Sequence, residues 1–454
     1  MELTIEKLGG EGVSIARAEG KTVFVPFGVP GDVVKAEIRE DKRTYCRASI
    51  TEVITPSPDR VAAPCRYFGD CGGCAHQNIS YEAQCRHKHA LLTELFRAIA
   101  TPVDAVVPSP SVFGYRSKMQ LQCARSGSRI LAGFYRSHSR SLVPIDRCPL
   151  HTDEVNALAR TTVRLLNDLR LPAFDARMRK GLVRDIVIRS NTKGESMLTL
   201  VIHDRDFEKR AAFSKAIFRR HPSLAGFFTF HNPRDTEYVF ADGENITTNT
   251  RHSPLEKVYG KAIDESFAGM RFALSPLTFF QVNVPQAQRI AAFLAECFGH
   301  ATSAATGGLI DAHAGVGAFS LALAPKFTEV LAVELVRDSC ELAIQNVRMN
   351  RVPNVRVRHS SDVRALGEIL SRDGMDRYPN LLLDPPRAGL SEDMRAMIPS
   401  MQFKRIVYVS CNPHTQARDA AVFTANGYRV TRIAPFDMFP HTYHIECVMV
   451  FERS

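Results

Sequence analysis

The stretch Leu309–Gly317 reads LIDAHAGVG, an apolar run followed by two glycines that are separated by one residue. Such a run predicts a buried strand leading into a helix N-terminus, where glycines allow the backbone to approach a ligand. Further apolar runs alternate with helical segments such as Ser339–Asn350, and the runs lie at residues 309–313, 330–334, 355–358, 381–384, 406–410 and 445–451. This alternation predicts an α/β fold over residues 271–454, with a parallel, Rossmann-like sheet covered by helices on both faces.

The ends of the second and third predicted strands carry candidate ligand-binding carboxylates. In sheets of this class the ligand binds at the carboxyl ends of the strands. Glu334 ends the second strand, where it can accept hydrogen bonds from ribose hydroxyls, and Asp362 follows the third, a usual position for contacting an adenine ring. Because no third glycine follows to bind a pyrophosphate, the pattern favours S-adenosylmethionine over a dinucleotide. The alternative is that the glycines only form a tight turn and that Glu334 is a solvated strand end.

The later strand ends carry a thiol and further carboxylates, in the motifs DPPR (384–387), SCNP (410–413) and TYHIE (442–446). A thiol, a carboxylate and a methyl donor in one crevice suit the methylation of carbon 5 of uracil. This carbon is a poor nucleophile unless a thiolate first adds to carbon 6, and a base must then remove the carbon 5 proton before the thiol can leave. Cys411 suits the first role and Glu446 the second. Taken alone, Cys411 could also be a buried apolar cysteine, and Glu446 a carboxylate at a strand edge.

The N-terminal 56 residues predict a small β-barrel. The runs at 22–26 and 32–38 have the composition of strands, and the cluster Phe27-Gly28-Val29-Pro30-Gly31 between them is typical of a turn. Residues 57–270 form a central part with a cysteine cluster, a helix near 80–99 and several strands, which predicts an α+β domain. Residues 271–454 then form the C-terminal domain.

Four cysteines of the central part predict a metal site. Cys65, Cys71 and Cys74 have the spacing C-x5-C-x2-C, and Cys148 lies far downstream before a proline. Three close thiolates and one distant thiolate before proline indicate an iron–sulfur cluster, which we expect to be structural because no iron position stays open. Zinc is the alternative ligand, although its cysteines usually form two closely spaced pairs.

The charge distribution indicates a polyanionic partner. The chain of 454 residues has a formal net charge of +10, and residues 111–145 contain no Asp or Glu. Arginines and Lys118 alternate there with Tyr115, Phe134 and Tyr135, so phosphates could be neutralised and bases stacked. An exposed charged hairpin is the alternative. The first residues, MELTIEKLGG, do not resemble a secretory signal, and no apolar run approaches the ~20 residues that span a bilayer. We therefore expect a cytoplasmic protein with no membrane partner and no obligate protein partner.

The C-terminal motifs SPLTFFQVN (275–283), DAHAGVG (311–317), DPPRAG (384–389), SCNP (410–413) and DMFPHTYHIECV (437–448) resemble the RNA uridine C5-methyltransferase family. This resemblance implies that Cys411 is the nucleophile and Glu446 the base. It also implies that S-adenosylmethionine and the target base are held by a set of strand-end residues, namely Gln281, His313, Glu334, Asp362 and Asp384. His313 stands where the family often has an aromatic residue.

The N-terminal segment VFVPFGVPGDVV (23–34) resembles the TRAM domain, an OB-like barrel attached to RNA-modifying enzymes. Some members of the same methyltransferase family carry a [4Fe–4S] cluster, and the spacing of Cys65, Cys71, Cys74 and Cys148 matches theirs. Members that combine both features usually act on 23S ribosomal RNA, which is the implied substrate. The alternatives are uridine C5 methylation of transfer RNA, methylation of an amino group of adenine or guanine, and RNA binding without catalysis.

Overall fold

The N-terminal domain is a closed five-stranded barrel in a computed structural model that describes residues 1–233, 240, 255–299, 307–372 and 376–453. Its strands close in the order β1-β2-β3-β5-β4, with bounds β1 (Glu2–Leu8), β2 (Val13–Ala18), β3 (Lys21–Pro26), β4 (Val33–Asp41) and β5 (Tyr45–Thr55). Alternate residues such as Leu3 and Ile5 point inward and are buried, as the period of two along a strand requires. The predicted small barrel is confirmed.

The barrel is fixed to the residues that follow it by a buried ion pair. The carboxylate of Asp32 is fully buried and accepts hydrogen bonds from the Arg60 guanidinium at 2.5 Å and from the Ser57 amide at 2.9 Å. Burial alone would raise the pKa of Asp32, but the hydrogen bonds from Arg60, Ser57 and Val29 outweigh burial and lower it. Lys7 on β1 also pairs with Glu94 at 2.8 Å. The barrel is therefore held in place by specific contacts with the residues that follow it and not only by the connecting chain.

Helix α1 (Tyr81–Leu95) packs on the C-terminal sheet, although the sequence places it in the central part. Its residue Leu92, with Phe96 after it, is buried in the same apolar cluster as the strands of that sheet. The segment 101–107 then runs along the sheet edge, where the amide of Asp104 donates to the carbonyl of Ile433 at 2.8 Å. The C-terminal sheet is thus completed by residues from far upstream.

The central domain is a seven-stranded sheet in the order β12-β11-β10-β9-β6-β7-β8, with helices α2 (Asp153–Asp168) and α3 (Arg210–Arg220) packed on it. A hairpin, β13 (Asp264–Phe267) and β14 (Met270–Ala273), leads into the C-terminal domain. The sheet's strands are β6 (Lys118–Ser126), β7 (Arg129–Tyr135), β8 (Leu142–Pro144), β9 (Val183–Ser190), β10 (Ser196–Ile202), β11 (Leu224–His231) and β12 (Leu255–Gly260).

The C-terminal sheet has the order β17-β16-β15-β18-β19-β21-β20 and carries helices on its two faces. Its strands are β15 (Leu309–Ala312), β16 (Val330–Glu334), β17 (Val355–His359), β18 (Asn380–Leu383), β19 (Arg405–Ser410), β20 (Tyr428–Phe436) and β21 (Glu446–Arg453). Its helices are α4 (Val284–Cys297), α5 (Ala318–Leu323), α6 (Arg337–Asn350), α7 (Asp362–Arg372), α8 (Glu392–Ser400) and α9 (Pro413–Ala425). The predicted α/β architecture with helices on both faces of the sheet is confirmed.

Two details of the predicted sheet were wrong. Strand β20 was not predicted, and β21 runs antiparallel to both of its neighbours, β19 and β20, instead of parallel. The physical reason is the short connection 437–445, because a parallel return needs a crossover of a dozen or more residues. Residues 442–445, predicted as part of the last strand, therefore lie in this connection.

Among the helices in the described ranges, none is both long enough and apolar enough to cross a bilayer.

Candidate active site

The register of β19 and β21, extended by one residue, brings Cys411 beside Glu446. The antiparallel pairing of β19 with β21 ends at Ser410 and Cys447, and the next pair in the same register is Cys411 with Glu446. Residues directly opposite each other in antiparallel strands have Cβ atoms ~5 Å apart and face the same side of the sheet. The thiol and the carboxylate that the sequence singled out are therefore neighbours at one end of the sheet.

The thiol of Cys411 is half-buried, and its surroundings disfavour the thiolate. Burial raises its pKa to about 11; the Glu446 and Asp384 carboxylates add to this rise, and the Arg387 guanidinium opposes it. Burial and the nearby Asp384 carboxylate also raise the pKa of Glu446, while Arg387 again acts in the opposite direction. Two buried carboxyl groups close to each other do not both ionise readily, which is the physical cause of the raised pKa of Glu446.

Arg387 is the cation whose charge favours the Cys411 thiolate, and it contacts the segment before β21. Its Nη2 lies 2.9 Å from Nε2 of His444, and its carbonyl oxygen accepts a hydrogen bond from the Asn412 side chain at 2.9 Å. Burial, reinforced by the nearby Arg387 charge, lowers the pKa of His444 to about 4, so this imidazole is neutral at pH 7. Arg387 therefore supplies the positive charge nearest the thiol and Glu446.

A buried lysine of α1 holds the connection 437–445 in place. The ammonium of Lys88 donates to Asp437 at 2.7 Å and to the carbonyl oxygen of His444 at 2.9 Å, and both charged side chains are almost completely buried. Removing one partner of such a pair costs about 3–5 kcal/mol, because the other charge stays buried. This pair fixes the path of the chain just before Glu446.

Cys411 faces a cavity of about 430 Å³ between three parts of the chain. The C-terminal domain contributes Arg387, Cys411–His414 and Tyr443–Ile445. The remaining lining comes from helix α1 with His76, and from the turn between β1 and β2, as residues Leu8, Gly9, Gly10, Glu11, His76, His87, Lys88 and Leu91. A cavity of this size lies within the ~300–1,000 Å³ range of ligand pockets.

The raised pKa of Cys411 predicts a strong pH dependence of its alkylation. Between pH 7 and pH 9, below a pKa of about 11, the thiolate fraction rises about tenfold per pH unit, and so should the rate with iodoacetamide. Glu446→Gln removes a carboxyl group that opposes the thiolate whenever it is ionised and should speed the reaction, whereas Arg387→Gln should slow it. The readout is mass spectrometry of the tryptic peptide Ile406–Arg418, which has one cysteine. A rate independent of pH over this range would contradict a protonated thiol.

The first three strand ends of the sheet bring the predicted cofactor residues together. Both carboxylate oxygens of Glu334 accept backbone hydrogen bonds, from Gly315 at 2.8 Å and from Val336 at 2.7 Å. His313 has a positive φ of 64°, and its Nε2 lies 2.9 Å from Asp362. Burial would lower the pKa of His313, but the Asp362 carboxylate outweighs burial and raises it. Asp362 thus binds a neighbouring side chain, which the sequence did not predict.

Asp384 and Gln281 complete the predicted set. Pairing of Ala312 with Leu383 places His313 and Asp384 at the same level of the sheet, and burial raises the pKa of Asp384 to about 7 although His313 lowers it. Gln281 is half-buried and precedes Asn283, whose side chain begins helix α4 and donates to the carbonyl of Met438 at 3.1 Å. Gln281 therefore lies in a segment that is bonded to the connection 437–445.

The four cysteines predicted as metal ligands, Cys65, Cys71, Cys74 and Cys148, are among the residues that line one small cavity of about 70 Å³. Burial raises the pKa of Cys74 to about 12 and that of Cys148 to about 11, and the other thiols act in the same direction. Within the described residues, no group of three or more His, Cys, Asp or Glu side chains converges closely enough to hold one metal ion.

Gln77 and Arg116 are two of the polar side chains that line this cysteine cavity. The Gln77 amide donates to the Cys74 sulfur at 3.1 Å, and its carbonyl accepts from the Cys65 backbone at 3.2 Å. Arg116 also lines the cavity, and its buried Nε has no hydrogen-bond partner among the described residues. The site therefore offers an N–H donor to sulfur and a nearby positive charge.

The basic segment 111–145 differs from the predicted stacking surface. Tyr115 is buried and donates to the carbonyl of Pro440 at 3.1 Å, and Phe134 lines the cysteine cavity, so neither ring is free to stack on a base. Tyr135 alone of the three aromatic residues is exposed. Lys118 is half-buried with its ammonium over the ring of Phe240, and burial lowers its pKa to about 8.

Comparisons with known proteins agree with this architecture. The family model "tRNA (Uracil-5-)-methyltransferase" matches residues 269–454, and the TRAM domain model matches residues 1–51. An uncharacterized RNA methyltransferase from Halalkalibacterium halodurans is 31% identical to the chain, and the match covers 100% of this chain and 96% of the relative. One from Caldanaerobacter subterraneus is 32% identical, and the match covers 100% of this chain and 98% of the relative. The chain belongs to this family of RNA (uracil-5-)-methyltransferases.

A solved structure shares the fold over nearly the whole length. It is the tRNA (uracil-54, C5)-methyltransferase of Pyrococcus abyssi in complex with S-adenosyl-L-homocysteine, with a TM-score of 0.76 and 24% identity, covering 99% of this chain and 100% of that one.

Several residues of this methyltransferase's site were not found from the sequence. Lys88 lies in the polar run YEAQCRHKH, and nothing in that run indicates that one of its cations is buried. His76 and Glu11 are also part of the cavity, although they lie more than 300 residues before Cys411. A conspicuous signal existed only for Arg387, which directly follows the DPP motif.

Proposed function

We propose that this RNA methyltransferase methylates carbon 5 of a uridine through a covalent bond between Cys411 and carbon 6 of the base. The observation that carries the proposal is that the Cys411 thiol lines a cavity and lies close enough to the buried Glu446 carboxyl for its charge to raise the pKa of the thiol. Methylation of an exocyclic amino group needs neither a nucleophilic thiol nor a base across from it. RNA binding without catalysis does not explain why two buried carboxyl groups lie beside a thiol.

Each group has a defined task in this reaction. The Cys411 thiolate adds to carbon 6, and the electron pair of the 5,6 double bond moves toward carbon 5 and oxygen 4, which makes carbon 5 nucleophilic. After carbon 5 has been methylated, Glu446 takes its proton, the 5,6 double bond re-forms and the carbon–sulfur bond breaks. The raised pKa of Glu446 makes its carboxylate a stronger base than an ordinary glutamate. Arg387 stabilises the thiolate that forms at the beginning and at the end.

The first three strand ends fit S-adenosylmethionine. Gly315 has a positive φ of 57°, and a Cβ built on it meets no atom within 4 Å, so there is open space beside the backbone. Glu334 is fixed by two amides and keeps a lone pair on each oxygen for ribose hydroxyls. We propose that Gln281, His313, Glu334, Asp362 and Asp384 hold the molecule. When bound, it supplies a methyl group on a positively charged sulfur.

We also propose that Cys65, Cys71, Cys74 and Cys148 hold a [4Fe–4S] cluster with a structural role. The four thiols line one small cavity, and zinc, which also binds four cysteines, is the alternative occupant. Arg116 supports the assignment, because its buried Nε has no hydrogen-bond partner among the described residues and a thiolate-bound cluster carries negative charge.

Anaerobically isolated protein should be brown and contain about four irons per chain. Cys148→Ser should lose most of this iron, because it removes the only distant ligand, whereas Cys340→Ser, a buried cysteine of α6, should keep it. Iron and zinc are measured by plasma mass spectrometry together with the visible absorption spectrum. A colourless preparation loaded with zinc would contradict the cluster.

The class of RNA that carries the target uridine can be tested directly. We propose 23S ribosomal RNA as the substrate because the TRAM barrel and the four cysteines occur together in this chain. Transfer RNA is the second candidate, because the Pyrococcus abyssi transfer RNA enzyme has the same fold over its whole length. Transcripts of both RNAs are incubated with the protein and digested, and 5-methyluridine is mapped by mass spectrometry. Methylation of only the transfer RNA would select the second candidate, and methylated adenine or guanine would contradict the proposed reaction.

A further inference from the structure

The turn between β1 and β2, Leu8–Gly12, forms one wall of the cavity that contains Cys411. We call it the barrel turn. Its residues Leu8, Gly9, Gly10 and Glu11 line the same cavity as Arg387 and Cys411, so the N-terminal barrel reaches the reaction site itself. Any role of this turn in binding RNA rests on the proposed function, because it concerns how the RNA lies in that cavity.

The barrel turn is held tightly against the other walls. Gly12 has a φ of 74°, and a Cβ at this position would lie 2.6 Å from the Cβ of Ala75 and 3.1 Å from the Tyr443 ring. Only glycine fits such a close approach at a positive φ. The position of the turn relative to the cavity is therefore defined by contact with both neighbouring walls and does not depend on a flexible tether.

Glu11 is the unusual residue of this turn. It has φ 57° and ψ 19°, a left-handed conformation that is unfavourable for a residue other than Gly, Asn or Asp. Its side chain is exposed and makes no hydrogen bond or ion pair with the residues that the structure describes. Strained residues that no internal contact explains are concentrated at functional sites.

The charge of Glu11 limits what it can contact. Among the described residues that line the cavity it is the only carboxylate, and the polar groups around it include the basic or imidazole side chains of His76, His87, Lys88, Arg387, His414 and His444. A carboxylate repels a phosphate, so it weakens binding of the RNA backbone. It is, however, an acceptor for N–H groups on base edges.

We propose that Glu11 is a specificity-determining residue that accepts a hydrogen bond from an N–H group of a nucleobase bound in this cavity, and that the N-terminal barrel thereby completes the reaction site. The N–H group is the ring imide of the target uracil or the amino group of the base beside it. Glu11 lines the cavity, and the close contacts of Gly12 keep the barrel turn there.

Glu11→Gly tests the proposal, and the chain offers a matched control. Glu19, in the turn between β2 and β3, is also an exposed glutamate with a positive φ of 50°, and it does not line the cavity. Both Gly variants lose one negative charge and one strained residue, so both should keep or raise the Tm. Only Glu11→Gly should raise the KM for the RNA transcript, by about tenfold, the effect of losing one charge-assisted hydrogen bond. Its affinity for S-adenosylhomocysteine should not change.

Two outcomes of this comparison of KM values would contradict the proposal. If Glu11→Gly and Glu19→Gly give the same KM, or if Glu11→Gly lowers it as removal of a repelling charge would, the proposal is overturned. If the unmodified protein methylates none of the RNAs tested, the proposed function is contradicted instead. The contact of the barrel turn with RNA can still be tested in that case, because cross-linking does not require methylation.

Cross-linking reads the contact without catalysis. RNA hairpins with 4-thiouridine in the loop are irradiated with the protein, and the tryptic peptide Leu8–Arg17, which contains the barrel turn, is examined for bound nucleotide. A Cβ at Gly10 meets no atom within 4 Å, so Gly10→Trp should fill the cavity and abolish the cross-link. Thr44→Trp, an exposed position elsewhere on the barrel, should keep it. Absence of any cross-link to Leu8–Arg17 in the unmodified protein would overturn the proposal.

Discussion

Replacing Cys411 by alanine should abolish both the covalent complex with RNA and the methylation of uridine, the latter by at least about a thousandfold. Without the sulfur, carbon 5 of the base stays a poor nucleophile, and no other described thiol lines the cavity. The complex is trapped with RNA that contains 5-fluorouridine, because fluorine at carbon 5 cannot be removed as a proton by Glu446. It is detected by denaturing electrophoresis, and the bond is located on the peptide Ile406–Arg418.

A second cysteine provides the control for this experiment. Cys297 lies at the C-terminal end of α4, outside the cavity, and Cys297→Ala should form the complex as the unmodified protein does. Binding of S-adenosylhomocysteine by Cys411→Ala shows that its C-terminal domain is folded. A covalent complex that persists in Cys411→Ala would mean that another residue is the nucleophile, and the proposed reaction would then have to be given up.

Replacing Glu446 by glutamine should have the opposite effect on the complex, which should accumulate with ordinary uridine. The thiolate can still add and carbon 5 can still be methylated, but no base removes the proton, so the carbon–sulfur bond cannot break. Loss of a general base lowers multiple-turnover rates by about 10²–10⁴-fold. Glutamine keeps the size of the side chain, which matters because Glu446 is almost completely buried. The complex is measured by denaturing electrophoresis, and turnover by release of methylated RNA.

Glu265→Gln separates this effect from the general cost of changing a buried carboxyl group. Glu265 is also buried and has a pKa raised by burial, but it lies on the hairpin strand β13 and binds Thr192. This variant should lose stability without trapping RNA. If Glu446→Gln forms no complex at all, Glu446 acts in forming the adduct rather than in resolving it, and the role of base passes to a different group.

The C-terminal sheet could be predicted from the sequence because each buried strand is a short apolar run that ends in a chemically distinct residue. Strand β16 has the predicted bounds Val330–Glu334, and β15, β17, β18 and β19 differ from the predictions by one residue. Strand β20, YRVTRIAPF, was not predicted because the exposed Arg429 and Arg432 interrupt its apolar residues. Local pattern was sufficient where a strand is buried on both faces.

The site was only partly predictable for a different reason. Cys411 and Glu446 belong to motifs whose chemistry can be recognised without knowing their neighbours. Lys88 cannot be recognised in this way, because its role depends on a contact with Asp437, 349 residues along the chain. Tyr115 shows the converse error, since an aromatic residue among arginines resembles an RNA-stacking surface even though its ring is buried. Such contacts are properties of the tertiary structure.

The edge of the C-terminal sheet has a consequence for how the polypeptide folds during synthesis. The amides of Asp104 and Val107 donate to the carbonyls of Ile433 and Pro435 on β20, so the last strands of the sheet meet a segment that left the ribosome more than 300 residues earlier. Contacts at such separation slow folding, because the loop between them must close first. An excised fragment 269–454 would leave the edge of β20 and the cleft for Leu92 and Phe96 uncovered, and it should aggregate where the full chain does not.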